Sequence, residues 1–204
     1  MIVFLNGASS SGKTAIARAL QAAWQGPLLH LGIDTMLGLL PAAYVGTGLR
    51  AHEGFEFYQD ADERGPVVRV RPGAVGRMLA GSFARVVAQL AADGHDVVVD
   101  YVVLETEDLV PYLRELRRFP VYFVAVRCDV AALEARELVR GDRFLTLARA
   151  QSATVHSGPR HYDLDVDTTT RSPYDLAAEI IEFVRRHPRP RGFDRLRSEL
   201  CPTD

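Results

Sequence analysis

The feature that most constrains this chain lies in its first twenty residues, where an apolar run, 2–5, breaks into a loop of small residues that ends in a lysine and a threonine. The loop matches the pattern G-x-x-x-x-G-K-[ST] at every fixed position. An alanine-rich stretch, 14–24, follows the loop with the spacing of a helix. The loop residues are Gly7, Ala8, Ser9, Ser10, Ser11, Gly12, Lys13 and Thr14.

A loop of this composition suits phosphate binding. Small residues let the backbone curl so that successive N–H groups point at phosphate oxygens, and the positive end of the following helix adds to them. In loops of this pattern the lysine, here Lys13, reaches the β- and γ-phosphates, and the hydroxyl of Thr14 can bind Mg²⁺. The loop therefore predicts a bound nucleotide. The alternative is an ordinary small-residue turn between a strand and a helix.

Short strand-like stretches alternate with helical ones along the rest of the chain. Most of them are apolar throughout, which is typical of parallel strands covered on both faces. We therefore predict an α/β domain with the three-layer P-loop kinase fold: a central parallel sheet, helices on both faces and a short lid. The domain is expected to span 1–187, with a lid near 136–146. A tail, 188–204, contains prolines and arginines and is expected to be loosely ordered or draped over the domain. The predicted strands after the first are 28–31, 97–100, 121–126 and 164–167.

Two acids stand at the ends of predicted strands, where ligands of such sheets bind. Asp100 ends the run HDVVVD and suits the carboxylate that holds Mg²⁺ opposite Thr14. Asp34 follows the second strand, where an acceptor hydroxyl would lie in a kinase, so it could take the proton of that hydroxyl. The alternative for each acid is a helix N-cap, or for Asp100 a turn residue.

Arginines in the stretch EARELVRGDRF form a third candidate group, because guanidinium groups can meet the charge of a transferred phosphoryl group. These are Arg136, Arg140 and Arg143, and the Arg-Gly-Asp-Arg break is typical of a short mobile lid. The alternative is a solvated helix face.

A fourth group of candidates surrounds the predicted nucleotide base. Arg127 ends an apolar strand and is expected to pair with an acid near the site. In P-loop kinases an adenine rests between the lid helix and the loop after the last strand, which here places it beside Asp167 and Thr168. All three residues are therefore predicted nucleotide contacts.

The stretch 44–72 interrupts the alternation, and within it the runs 55–58 and 67–70 flank a polar turn around 60–65, which predicts a hairpin. Because it follows Asp34, we expect it to wall the acceptor pocket with flat apolar side chains. The alternative is that it packs against another subunit or covers the long helix 73–93. The apolar side chains are Tyr44, Phe55, Phe57 and Tyr58.

Charge and hydropathy exclude some classes of partner. The formal net charge is −2, so nothing favours nucleic acid or an acidic membrane surface. No apolar run reaches the length of a membrane span, and we expect a cytoplasmic protein. The sequence leaves room for a homo-oligomer.

Four blocks of sequence together resemble the chloramphenicol 3-O-phosphotransferase family: FLNGASSSGK, GID, VRCD followed by RGDR, and YDLDVDTT. The similarity extends to about Arg186 and is weakest over 44–72. One departure is Tyr101, which follows Asp100 where the family commonly has a second acid.

The resemblance implies ATP- and Mg²⁺-dependent phosphorylation of a hydroxyl on a small molecule, such as chloramphenicol or a related natural product. By position, Asp34 falls on the family's general base, Lys13 and Thr14 on its nucleotide loop, and Arg140 and Arg143 on its lid. Two other functions fit the loop: a zeta-toxin-like kinase of a sugar or nucleotide-sugar, and a non-catalytic nucleotide-binding regulator.

Overall fold

A five-stranded sheet forms the centre of the computed structural model, which describes residues 1–140, 144–158 and 160–202. All four strand pairs of this sheet are parallel, in the order β2-β6-β1-β7-β8. A second, three-stranded sheet has the order β3-β4-β5. The strands are β1 (Ile2–Asn6), β2 (Leu28–Gly32), β3 (Val45–Gly46), β4 (Phe55–Asp62), β5 (Gly65–Pro72), β6 (Asp96–Tyr101), β7 (Val121–Arg127) and β8 (Leu164–Asp167).

Helices lie on both faces of the five-stranded sheet, as predicted. One apolar core packs α1 and α7 against side chains such as Val3 and Leu5, and the other packs α3 and α4 against Ile2 and Phe4. Neighbouring residues of β1 thus serve opposite cores, because side chains alternate across a strand. The helices are α1 (Lys13–Ala23), α2 (Ile33–Leu37), α3 (Ala74–Ala92), α4 (Val110–Glu115), α5 (Val130–Arg140), α6 (Leu147–Ser152), α7 (Pro173–Arg186) and α8 (Gly192–Leu200). In the part of the chain that the structure describes, no helix combines the length and apolar character that crossing a membrane requires.

The predicted hairpin is present and longer than the sequence indicated. Strands β4 and β5 pair in antiparallel register from Phe55 opposite Pro72 to Asp62 opposite Gly65. The buried ring of Phe55 belongs to the same core as α3. The hairpin therefore covers part of the core that contains α3.

The C-terminal stretch is not loosely ordered, because it forms helix α8. Asp163 fixes the start of this helix: its Oδ1 accepts hydrogen bonds of 2.8 Å from the N–H of Arg191 and 2.9 Å from that of Gly192. Phe193 on α8 is 3% exposed, and its ring lies 5.5 Å from that of Phe4. The helix thus completes the core on one face of the sheet, which corresponds to the draped alternative.

Candidate active site

A cavity of about 1020 Å³ opens at the carboxyl end of the parallel strands. The loop after β1, the hairpin β4–β5 and helices α5 and α6 surround it. Ten of the residues predicted to act in catalysis or to bind nucleotide or metal line it: Ser9, Ser10, Gly12, Lys13, Thr14, Asp34, Asp100, Arg136, Arg140 and Thr168.

The loop 7–14, called the glycine loop below, has a backbone that depends on its two glycines. A Cβ atom at Gly7 would collide with the carbonyl oxygen of Val126, and Gly12 has a φ of 94°, which favours glycine. Ser10 also has a positive φ, 59°. The hydroxyls of Ser10 and Ser11 are buried without a hydrogen-bond partner among the described residues. This strained, incompletely satisfied loop fits an anion better than it fits an ordinary turn.

Lys13 lies folded against the loop that carries it. Its Nζ donates to the carbonyl oxygens of Gly7 at 2.9 Å and Ala8 at 2.8 Å, and the residue is 6% exposed. The amino group therefore lies at the end of the glycine loop that leaves β1.

Thr14 and Asp100 meet where β6 ends. Thr14 Oγ1 donates a hydrogen bond of 2.5 Å to Asp100 Oδ2, and Lys13 Nζ lies 3.7 Å from Asp100 Oδ1. His30 Nε2 lies 3.7 Å from Oδ2. Burial raises the pKa of Asp100, but the charge of Lys13, with His30 and Thr14, outweighs burial and holds that pKa below its ordinary value. Because Asp100 lies inside β6 and its carboxylate accepts from a side chain, the N-cap and turn alternatives are wrong.

Asp34 lies on the cavity wall in the first turn of α2. The N-cap residue of that helix is Gly32, so the N-cap alternative for Asp34 is wrong. The residue is exposed, which makes it accessible to a hydroxyl bound in the cavity.

The arginines of α5 occupy two different environments. Arg136 is half-buried and binds Thr168, with Nη1 3.1 Å from Oγ1 and Nη2 2.6 Å from the carbonyl oxygen. The Thr168 hydroxyl in turn donates to the carbonyl oxygen of Ser11 at 2.7 Å. Arg136 thus links α5 to the glycine loop, and the solvated-face alternative is wrong for it. Arg140 is exposed and lines the cavity, whereas Arg143 lies outside the described residues.

Arg127 and Asp167 are not among the described residues that line the cavity. The Arg127 guanidinium pairs with Asp165, the acid that the sequence could not identify, and both side chains are about half exposed. Asp167 accepts the N–H of Thr169 at 2.7 Å, and hydrogen bonds from Thr169 lower the pKa of its carboxyl group. Their role as nucleotide contacts stays a prediction that this geometry does not favour.

The hairpin contributes the apolar wall of the cavity through Phe55, Phe57 and Tyr58. Tyr44 is not among the described residues that line the cavity. The guanidinium of Arg50 instead lies over its ring, 4.5 Å from the ring centroid. The ring of Phe57 stacks at 4.9 Å on Phe144, just beyond the undescribed part of the lid. The wall and the lid region are therefore in contact.

Arg149 on α6 fastens the hairpin to the helices beside the cavity. Its guanidinium lies 3.1 Å from Asp62, lies 3.5 Å from Glu134 on α5 and donates to the carbonyl oxygen of Pro66 at 2.8 Å. The side chain is 11% exposed. One arginine thus joins β4, β5, α5 and α6.

Sequence reasoning missed two residues at this site. Glu137 is 1% exposed, and its carboxylate accepts the N–H of Thr146 at 2.7 Å and of Ala148 at 3.0 Å, which fixes the start of α6. Gln151 is 7% exposed, and its Oε1 accepts the N–H of Ser9 at 2.7 Å. No motif marks Gln151, and Glu137 lies within the stretch EARELVRGDRF without that stretch indicating its role, since each contact depends on how α6 packs.

Comparison with protein families gives a match over nearly the whole chain. A family model described as chloramphenicol phosphotransferase-like protein matches residues 1–185. A Mycobacterium tuberculosis (strain ATCC 25618 / H37Rv) protein named "Putative O-phosphotransferase" is 31% identical over 201 residues, which are 98% of this chain and 88% of the relative. These matches confirm the resemblance found in the sequence.

Solved structures with the same architecture include kinases. The Mycobacterium tuberculosis APS kinase CysC, in complex with AMPPNP and APS, gives a TM-score of 0.61 at 18% identity and covers 90% of this chain and 96% of its own. A sugar kinase from Janibacter sp. HTCC2649 gives 0.59 at 18% identity, with 92% and 95% covered. At this level of identity the likeness establishes the fold, so the predicted P-loop kinase fold is confirmed.

Proposed function

The chain belongs to the chloramphenicol phosphotransferase-like family, and from that membership we propose that it transfers the γ-phosphoryl group of ATP, with Mg²⁺, to a hydroxyl of a small molecule. Its class, a phosphotransferase acting on an alcohol group, follows from the family and the named relative. The nucleotide, the metal and the acceptor are the parts proposed here. The acceptor is an antibiotic such as chloramphenicol or a related natural product.

One observation carries the proposal. A single cavity joins the glycine loop, with Lys13, to Asp34 and to the aromatic wall of the hairpin. A phosphate donor and an apolar hydroxyl compound could therefore occupy it together, which is what direct transfer requires. A regulator that only binds nucleotide has no use for a carboxylate and an apolar wall on the far side of its phosphate loop.

The residues in the cavity suit each part of the transfer. The acceptor oxygen forms a bond to the γ-phosphorus as the bond from that phosphorus to the β–γ bridging oxygen breaks, and ADP leaves with that electron pair. The hydroxyl proton passes to the carboxylate of Asp34. Lys13 and Arg140 supply positive charge for the phosphoryl oxygens.

Thr14 and Asp100 fit a magnesium ion. They offer a hydroxyl and an ionised carboxylate, both of which are oxygen ligands. Thr14 Oγ1 and Asp100 Oδ2 lie 2.5 Å apart. Mg²⁺ in phosphoryl-transfer sites is commonly held by one or two such groups, with waters and phosphate oxygens as its other ligands. When bound, Mg²⁺ would supply positive charge that partly neutralises the phosphates.

The segment 136–146, from the second half of α5 to the residue before α6, is proposed to act as the lid. Arg140 projects from the end of α5, and Arg143 follows in sequence. Closure over a bound nucleotide would exclude water from the phosphoryl group and so favour transfer to the acceptor over hydrolysis.

The test is ATP consumption, measured with Mg²⁺ over a panel of hydroxylated antibiotics, sugars and nucleosides, with mass spectrometry of each product. We expect one class of compound to stimulate ATP consumption and to gain one phosphoryl group. The rate without any acceptor serves as the control for hydrolysis. If only sugars stimulate ATP consumption, a sugar replaces the antibiotic as the acceptor. If no compound stimulates ATP consumption and the protein binds no nucleotide, the proposal is refuted.

A further inference from the structure

Gln151 is a buried amide that reaches the phosphate side of the cavity from α6. It is 7% exposed, and it lines the cavity together with Ser9, Lys13 and Thr14. Its Oε1 accepts the backbone N–H of Ser9 at 2.7 Å, across 142 residues of sequence. This bond ties α6 to the glycine loop.

The contact lies at the γ-phosphate end of the loop. Lys13 Nζ is 2.8 Å from the carbonyl oxygen of Ala8, the residue directly before Ser9. A lysine at this position of the pattern reaches the β- and γ-phosphates. Gln151 therefore lies beside the part of the loop that faces the phosphoryl group to be transferred.

The bond to Ser9 also decides which polar atom of Gln151 is left over. With Oε1 taken by an N–H, the Nε2 group carries two donors, and within residues 1–140, 144–158 and 160–202 it has no hydrogen-bond partner. A nearly buried amide group with free donors on a cavity wall is expected to find an acceptor there. The phosphoryl oxygens of a nucleotide are acceptors of the required kind.

The helix that carries Gln151 is held rigidly. Glu137 accepts the N–H groups of Thr146 and Ala148 at its start, and Arg149 joins it to the hairpin and to α5. A donor on such an element keeps its position as charge develops, which is the condition for electrostatic stabilisation of a transition state.

We propose that Gln151 donates a hydrogen bond from Nε2 to an oxygen of the γ-phosphoryl group, and so distinguishes ATP from ADP. The inference rests on the proposed function, because it assumes that a nucleoside triphosphate binds the glycine loop. It assigns a contact to a residue of α6, outside the phosphate motif, the strand-end acids and the lid arginines.

Two nucleotides separate this role from a structural one. The dissociation constants of ADP and of a β,γ-imido analogue of ATP are measured by calorimetry, with Mg²⁺, for the unaltered protein and for Gln151→Ala. We expect Gln151→Ala to raise the dissociation constant of the analogue by about tenfold or more, the effect of losing a hydrogen bond to a charged group. The dissociation constant of ADP should rise by no more than about twofold. Ser152→Ala is the matched control, because among the described residues its hydroxyl donates only to the carbonyl oxygen of Arg149 on the same helix; both affinities should stay unchanged.

Two further variants keep the test decisive. Gln151→Met preserves the volume of the side chain if alanine lowers the melting temperature. Gln151→Glu keeps an acceptor for the N–H of Ser9 but loses the Nε2 donors. It should weaken binding of the ATP analogue at least as much as Gln151→Ala does. Equal losses of affinity for both nucleotides would mean that Gln151 only supports the glycine loop. No loss of affinity for either would mean that Gln151 does not contact the nucleotide. Both results overturn the inference. Failure of the unaltered protein to bind either nucleotide would refute the proposed function, and this inference with it.

Discussion

The hydroxyl of Thr14, in the first turn of α1, donates a 2.5 Å hydrogen bond to the carboxylate of Asp100 at the end of β6. The two residues are 86 positions apart in sequence and meet because β1 and β6 are adjacent parallel strands. Their oxygens are the donors that the fold offers to a metal beside the phosphates. The proposed magnesium site therefore depends on this pair.

Asp100→Asn should raise the Mg²⁺ concentration needed for half-maximal nucleotide binding by about 10–100-fold, the usual effect of disturbing a metal site. Binding of nucleotide without Mg²⁺ should not weaken, since a negative charge near the phosphates is removed. Fluorescent-nucleotide titrations at several Mg²⁺ concentrations measure both. Asp129→Asn, which alters an exposed acid, is the control; an unchanged Mg²⁺ requirement in Asp100→Asn would contradict the assignment.

Asp34→Asn should lower kcat by about 10²–10⁴-fold while KM for ATP changes little, because the amide keeps the shape of the side chain but cannot take the proton. Steady-state kinetics with the acceptor identified in the panel provide the measurement. Thr35→Ala, at the next exposed position of α2, controls for effects on the helix. If Asp34→Asn lowers only the melting temperature, the residue serves the helix and not the reaction.

Arg149→Leu should lower the free energy of unfolding by about 1–3 kcal/mol. The substitution removes the guanidinium that contacts Asp62, Glu134 and the carbonyl oxygen of Pro66. Urea denaturation measures this change. Arg64→Ala is a suitable comparison, because Arg64 also pairs with Glu134, at 3.1 Å, but is 60% exposed; its loss should cost about 1 kcal/mol or less. Equal costs for the two variants would mean that Arg149 does not fasten the hairpin.

Phe193→Ala should lower the free energy of unfolding by about 3–5 kcal/mol, the usual cost of emptying a buried aromatic site. The ring lies 5.5 Å from Phe4 and 5.3 Å from Phe123. Arg195→Ala, on the exposed side of α8, should change stability by about 0.5 kcal/mol at most. If both variants unfold like the unaltered protein, the C-terminal helix lies outside the cooperative core.

Much of the fold could be predicted because its signals are local. The apolar runs that became β1, β6 and β7 are buried on both faces, and the polar turn between β4 and β5 marked the hairpin. The glycine loop was recognised from its own residues. Parallel pairing then placed Asp34 and Asp100 at the same end of the sheet as this loop.

The features that escaped prediction depend on contacts between distant segments. Helix α8 follows two prolines, Pro188 and Pro190, and its start is fixed by Asp163, 28 positions before Arg191. Arg127 reaches Asp165 on a neighbouring strand instead of the cavity. Gln151 acquires its position only when α6 packs beside the glycine loop. No short stretch of sequence contains such information.

The most direct test of the central claim is a transfer experiment with ATP labelled in the γ-phosphoryl group, Mg²⁺ and the acceptor found in the panel. The unaltered protein should move the label to the acceptor, whereas Lys13→Ala should fold normally and lose most of the transfer, because it lacks the charge at the γ-phosphate end of the glycine loop. Label appearing on the acceptor at the same rate with Lys13→Ala would contradict the account.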